Sequence, residues 1–84
     1  MFIPVSIDQF VQYHLETNPG ADTNTVRVAV AEAVNAKENG AKCFGCGGTI
    51  WAAGSAVAGH HGCFTCITRE ADDSEDFEID TVCR

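Results

Sequence analysis

Basic residues are scarce in this chain. Of 84 residues only Arg27, Lys37, Lys42, Arg69 and Arg84 are cationic, scattered rather than clustered, against twelve Asp and Glu, for a formal net charge of −7. Nucleic-acid affinity comes largely from Lys and Arg neutralising phosphates, so the composition argues against a DNA or RNA partner. Long apolar runs are missing too. Nothing approaches the roughly 18 residues that would suggest a membrane span, so a soluble protein without a membrane partner is expected. The opening residues, Met1-Phe2-Ile3-Pro4-Val5, offer neither the basic start nor the apolar run of a secretion signal. The expected compartment is therefore the reducing cytoplasm, where clustered thiols are more often metal ligands than disulfides. No Ser/His/Asp grouping and no phosphate-cradling glycine loop is present, and the chain is not expected to be an enzyme.

Bulk is also in short supply. A chain of 84 residues makes one domain, and at this size a hydrophobic core alone supplies about 3–5 kcal/mol, so an added staple is expected. Cysteine provides the candidate. Cys43-Phe44-Gly45-Cys46 is followed, after sixteen residues, by Cys63-Phe64-Thr65-Cys66. Two Cys-x-x-Cys pairs at this separation fit one tetrahedral zinc ion. Tetrahedral all-sulfur sites also suit iron, but rubredoxin-like sites place glycine after each pair, and here only Cys46 is followed by one. Binding zinc through four thiolates would take the formal charge from −7 to −9.

Ahead of the cysteines lie two helical patterns. Ser6-Ile7-Asp8-Gln9 has the form of a capping box, with Asp8 favourable near the positive end of the dipole. Ile7, Phe10, Val11 and Leu15 then share a face, with His14 on the same stripe as a packed, hydrogen-bonded side chain, until Asn18-Pro19-Gly20 turns the chain. Asp22-Thr23-Asn24-Thr25 offers caps for a second helix whose apolar face reads Val26, Ala29, Val30, Ala33 and Val34, with Arg27, Glu32, Asn35 and Glu38 outward and Gly40 as its stop. Together residues 6–39 read as a helical hairpin packed on the cysteine module.

From Cys43 the pattern changes. Cys43-Phe44-Gly45-Cys46-Gly47-Gly48 has the composition of a zinc knuckle, in which a tight turn aims backbone N–H groups at the first sulfurs and the glycine after the second cysteine permits positive φ. Residues 49–53 and 56–58 flank Gly54-Ser55 and suggest a β-hairpin. Cys66 is followed by Ile67-Thr68-Arg69-Glu70-Ala71, so the second pair begins a short helix, whose N-terminus favours thiolate. Seven of the twelve acidic residues fall between Glu70 and Asp80, as a solvated tail or a face for a basic partner. Within this stretch Phe77 and Ile79 alternate against carboxylates as a half-buried edge strand would.

Knuckle, hairpin and helix-borne second pair resemble the treble-clef zinc fingers over about a third of the chain. The resemblance implies one zinc held by Cys43, Cys46, Cys63 and Cys66. A variant is open: His60-His61-Gly62-Cys63-Phe64-Thr65-Cys66 is similar to the middle of a LIM-type or poly(ADP-ribose)-polymerase-type finger, which implies His60 in place of Cys66. Against it, the spacer from Cys46 to His60 is short for a LIM domain and no second cysteine set follows. Cys83 remains as a buried small side chain, a free thiol or a fifth ligand.

These readings give an α+β domain over residues 1–84, with a helical hairpin at 6–39, a zinc module at 43–71 and an acidic segment at 72–84. The expected role is a structural zinc site in a protein-interaction or adaptor module, its protein partner basic in character. Treble-clef analogy offers a nucleic-acid regulator as the alternative, and Cys63-x-x-Cys66 at a helix start offers a thiol redox protein as the second.

Overall fold

A computed structural model of the chain describes residues 2–70 and 76–83. Ser6 opens the first helix, α1 (Ile7–Thr17), through a complete capping box. Its hydroxyl accepts the Gln9 N–H at 3.0 Å, and the Gln9 side chain accepts the Ser6 N–H at 2.8 Å. Asp22 caps α2 (Thr23–Glu38) by accepting from the Thr25 backbone at 3.0 Å, and Gly40 beyond its end takes a φ of +80°. An ion pair between Arg27 and Asp8 links the two helices at the surface. Val30, Ala33 and Val34 are buried along α2, and Arg27, Glu32, Asn35 and Glu38 face outward as expected. His14 is half-buried and stacks on Phe10.

The expected β-hairpin at 49–58 is not formed. Residues Ala52–Ala58 make a helix, α3, with Gly54-Ser55 in its interior rather than at a turn. Three features favour helix over hairpin. Alanine has high helix and low strand propensity. Gly59 adopts the left-handed conformation that ends a helix, at φ 81°. The first N–H groups, Ala52 and Ala53, are capped by the carboxylate of Glu78, at 2.8 and 2.9 Å, from a point 26 and 25 residues further along the chain. Gly54 also lets the Trp51 ring lie on the helix, since a Cβ there would stand 2.1 Å from the indole.

The edge strand at Phe77–Ile79 is present as β2, but its facing differs from the expected pattern. It pairs in parallel with β1 (Ile3–Val5), in the register Ile3 to Phe77, Pro4 to Glu78 and Val5 to Ile79. Phe77 is 37% exposed, whereas Glu78 and Ile79 are both fully buried, so Glu78, unlike the exposed Asp80, does not point to solvent. A buried carboxylate needs a partner. Lys37, equally buried, supplies one at 2.8 Å. The remaining expected acids at Asp72, Asp73 and Glu75, and the last module residue Ala71, lie outside the described residues.

One core joins these pieces. Val30, Ala33 and Val34 of α2 meet Ala52 of α3, Ile79 of β2 and Val82 of the 3-10 turn Asp80–Val82, with Val5, Ile7, Phe10 and Val26 packed around them. The described residues therefore form an α+β arrangement of four helices and a two-stranded parallel sheet. No helix among them is long and apolar enough to cross a membrane.

Candidate metal centre

Local geometry at Cys43 follows from its glycines. The Cys43 N–H bonds the Gly48 carbonyl at 2.8 Å and the Gly47 N–H returns to the Cys43 carbonyl at 2.9 Å, closing a tight turn. Gly47, directly after Cys46, takes the expected positive φ, at 74°. Within the turn the Gly45 N–H points at the Cys43 sulfur, 3.3 Å away. The second pair uses a similar device on a helix. Cys63 caps α4 (Phe64–Thr68), its sulfur accepting the Cys66 N–H at 3.4 Å, and Cys66 stands in the body of the helix.

Backbone hydrogen bonds bring the two pairs together. Phe44 N–H reaches the His61 carbonyl at 3.0 Å, and Trp51 N–H reaches the Gly62 carbonyl at 2.8 Å. The Ser55 hydroxyl, buried on α3, donates to the Gly62 carbonyl and accepts its N–H, both at 3.1 Å. This places Cys63 across from the knuckle. Gly62 itself is confined, because a Cβ would stand 2.8 Å from Ile67 on α4.

The sulfurs of Cys43, Cys46, Cys63 and Cys66 consequently lie within 4.8 Å of one another, and all four cysteines are free thiols. Zinc–sulfur bonds of about 2.3 Å in a tetrahedron require sulfurs about 3.8 Å apart. Cys46 and Cys63, at 3.6 Å, meet that distance. Cys43 is buried and Cys46 exposed, so the cluster sits at the surface with one side closed.

Electrostatics in the cluster are uneven. N–H groups of Cys46 and Cys63 bring the Cys43 thiol down to about 6, and hydrogen bonding to the Cys43 and Cys63 sulfurs pushes Cys66 up to about 12. At Cys46 the Gly48 N–H acts downward but the Cys63 and Cys43 sulfurs together outweigh it, leaving that thiol raised. At Cys66 the neighbouring sulfurs and burial therefore act against the thiolate that the helix start was expected to favour. A lowered Cys43 beside raised Cys46 and Cys66 is the arrangement that a bound dication would relieve, since it holds several thiolates together.

His60 and His61 do not join the cluster. His60 stands edge-on to the exposed Phe44 ring at 4.7 Å, and both histidines border an open cleft of about 390 Å³ with Glu32 and Ser55. Cys83 is also apart, half-buried, its thiol donating to the Phe2 carbonyl at 3.7 Å. What sequence reasoning missed is the buried Lys37–Glu78 pair. Its only sequence signal is a lysine one residue short of the outward-facing Glu38 and a carboxylate between two apolar residues. Compared with known proteins, the chain matches no family model, no curated protein and no solved structure.

Proposed function

We propose that the chain is a small interaction module in which a single zinc ion, held by Cys43, Cys46, Cys63 and Cys66, is structural. The observation that carries the reading is the convergence of four sulfurs from two separate segments to within 4.8 Å, with backbone N–H groups directed at Cys43 and Cys63. Soft thiolates select zinc or iron among common metals, and zinc suits a site with a single knuckle. Four protein ligands fill its coordination sphere and leave no position for a reactive water, so the metal's work is to cross-link the chain rather than to catalyse. In this reading the metal-binding half is a treble-clef variant: the knuckle and the helix-borne second pair are kept, and α3 stands where the hairpin would.

The redox alternative draws on the exposed Cys46 sulfur, 3.6 Å from Cys63. That separation is equally the edge of a metal tetrahedron, and the other two sulfurs are explained only by the metal. A nucleic-acid role is less supported still, since Arg69 is the single cation between Cys66 and Asp76. Native mass spectrometry with metal analysis, on the parent and on His60→Ala, tests the assignment. One zinc per chain retained by both is expected. Loss of zinc in the variant would move the ligand set to His60, and a metal-free parent with two disulfides would overturn the reading.

A further inference from the structure

Accessibility divides the four clustered sulfurs. Cys43 is buried, at 3% exposure, Cys63 and Cys66 are half-buried, and Cys46 is exposed. A solute reaching the cluster therefore meets Cys46 first. The sulfur bonded to Cys46, at 3.6 Å, is that of Cys63 on the other segment. To become a disulfide the two need close by only about 1.5 Å. We propose that a hydroperoxide replaces the metal cross-link by a Cys46–Cys63 disulfide, which makes the module a reversible redox switch between two cross-linked states.

A metal-bound cysteine is deprotonated, and the thiolate is the nucleophilic form. The Cys46 thiolate attacks one peroxide oxygen: an S–O bond forms, the O–O bond breaks and hydroxide leaves, giving a sulfenic acid. The Cys63 thiolate then attacks the Cys46 sulfur, forming the S–S bond and expelling the second hydroxide. Two electrons pass from the sulfurs to the peroxide, and both hydroxides take protons from solvent to become water. Cys43 and Cys66 remain as two ligands where zinc takes four, too few to keep the ion. A dithiol reductant reverses the exchange and is itself oxidised to a disulfide. The pairing decides the consequence. A bond within either Cys-x-x-Cys would tie residues three apart and leave the two segments separate, whereas Cys46–Cys63 encloses sixteen residues, α3 among them, and joins the segments that the metal joins. The inference rests on the four-sulfur zinc reading and adds its regulation.

The probe is hydrogen peroxide, added in small excess to the zinc-loaded full chain after its metal content has been read. One zinc released per disulfide formed is expected, with the intact mass lower by about 2 Da for the two hydrogens lost. Chymotryptic cleavage after Phe44, Trp51 and Phe64 separates all four cysteines, so the non-reduced digest identifies the bond directly. It should join the fragments that carry Cys46 and Cys63. A cyclic diketone present during oxidation should trap sulfenic acid at Cys46 at least about tenfold over Cys43. The oxidised chain should unfold at higher urea than the reduced chain stripped of zinc by a chelator. A dithiol with zinc should restore the parent mass and metal, and Cys83→Ser should behave as the parent throughout.

Zinc retained through oxidation would overturn the proposal and leave the zinc site standing. So would a first bond within either Cys-x-x-Cys pair or to Cys83, a sulfinic acid in place of the disulfide, or an oxidised chain no more stable than the stripped one. A reduced parent that carries no zinc before peroxide is added would instead remove the four-sulfur reading itself.

Discussion

Gly45 is the residue at which the two cysteine pairs come closest to colliding. A Cβ there would stand 3.0 Å from the Cys66 sulfur, while one at Gly48 would stand 3.4 Å from the Cys46 sulfur. Neither position has the positive φ that makes glycine obligatory on backbone grounds, so the constraint is steric. Gly45→Ala should push the Cys66 sulfur outward by a few tenths of an ångström and lower zinc affinity about tenfold, about 1.4 kcal/mol. Gly48→Ala should change it little. Competition against a chromogenic chelator measures both, and equal affinities would remove the steric account. The cysteine spacing and Gly47's positive φ were legible in the sequence because a knuckle is local. The need for Gly45 was not, because its neighbour is twenty-one residues away on another element.

Helix α3 shows the same limit at the scale of an element. Seven residues of mostly alanine cannot hold a helix alone, since isolated helices below about 12–15 residues are marginal. What stabilises α3 is Glu78, which accepts from Ala52, Ala53 and its own neighbour Ile79, and pairs with Lys37. Read locally, Ala-Ala-Gly-Ser-Ala resembles a turn between strands. The cap that decides otherwise sits in a segment whose acidic composition suggests a solvated tail. By contrast α1 and α2 were legible with their caps, because Ser6, Gln9, Asp22 and Thr25 act within three residues. Strand β1 was not, since three residues including a proline acquire strand geometry only from a partner seventy-four positions later. A test follows from the pair. Lys37→Met leaves a buried carboxylate without its cation and should cost about 3–5 kcal/mol in urea unfolding followed by Trp51 emission. The double variant Lys37→Met with Glu78→Leu should not recover the parent stability, because it orphans the α3 N–H groups as well. Full recovery would mean that the capping bonds contribute nothing and that burial of the ion pair alone was at issue.

Across the whole molecule α3 touches both the aliphatic core, through Ala52 and Ala56, and the loop that carries Cys63, through Ser55. Glu78 fixes the start of the helix, and Ser55 with Gly62 fixes the loop that carries Cys63. A core of this size supplies about 3–5 kcal/mol, against about 10–16 kcal/mol of apparent binding free energy for a structural zinc at neutral pH. The metal is therefore expected to dominate stability, and stability should follow the protonation of its ligands. Cys46 and Cys66 are both held above the ordinary thiol value of 9.0, so at pH 6.5 to 8 each must lose a proton for the metal to bind. Each then contributes about a tenfold gain in affinity per unit of rising pH. Cys43, brought down to about 6, is already ionised over most of that range and adds to the slope only as pH falls towards 6. The sign is fixed: affinity rises with pH, and acid expels the metal. Apparent zinc affinity measured by chelator competition from pH 6.5 to 8 should rise at least about a hundredfold per pH unit, two factors of ten. A slope near four would mean that the metal-free chain has lost the N–H donors around Cys43 and that the site forms only with the ion. A slope below one would show that Cys46 and Cys66 are not ligands together, and with it the four-sulfur site would fall.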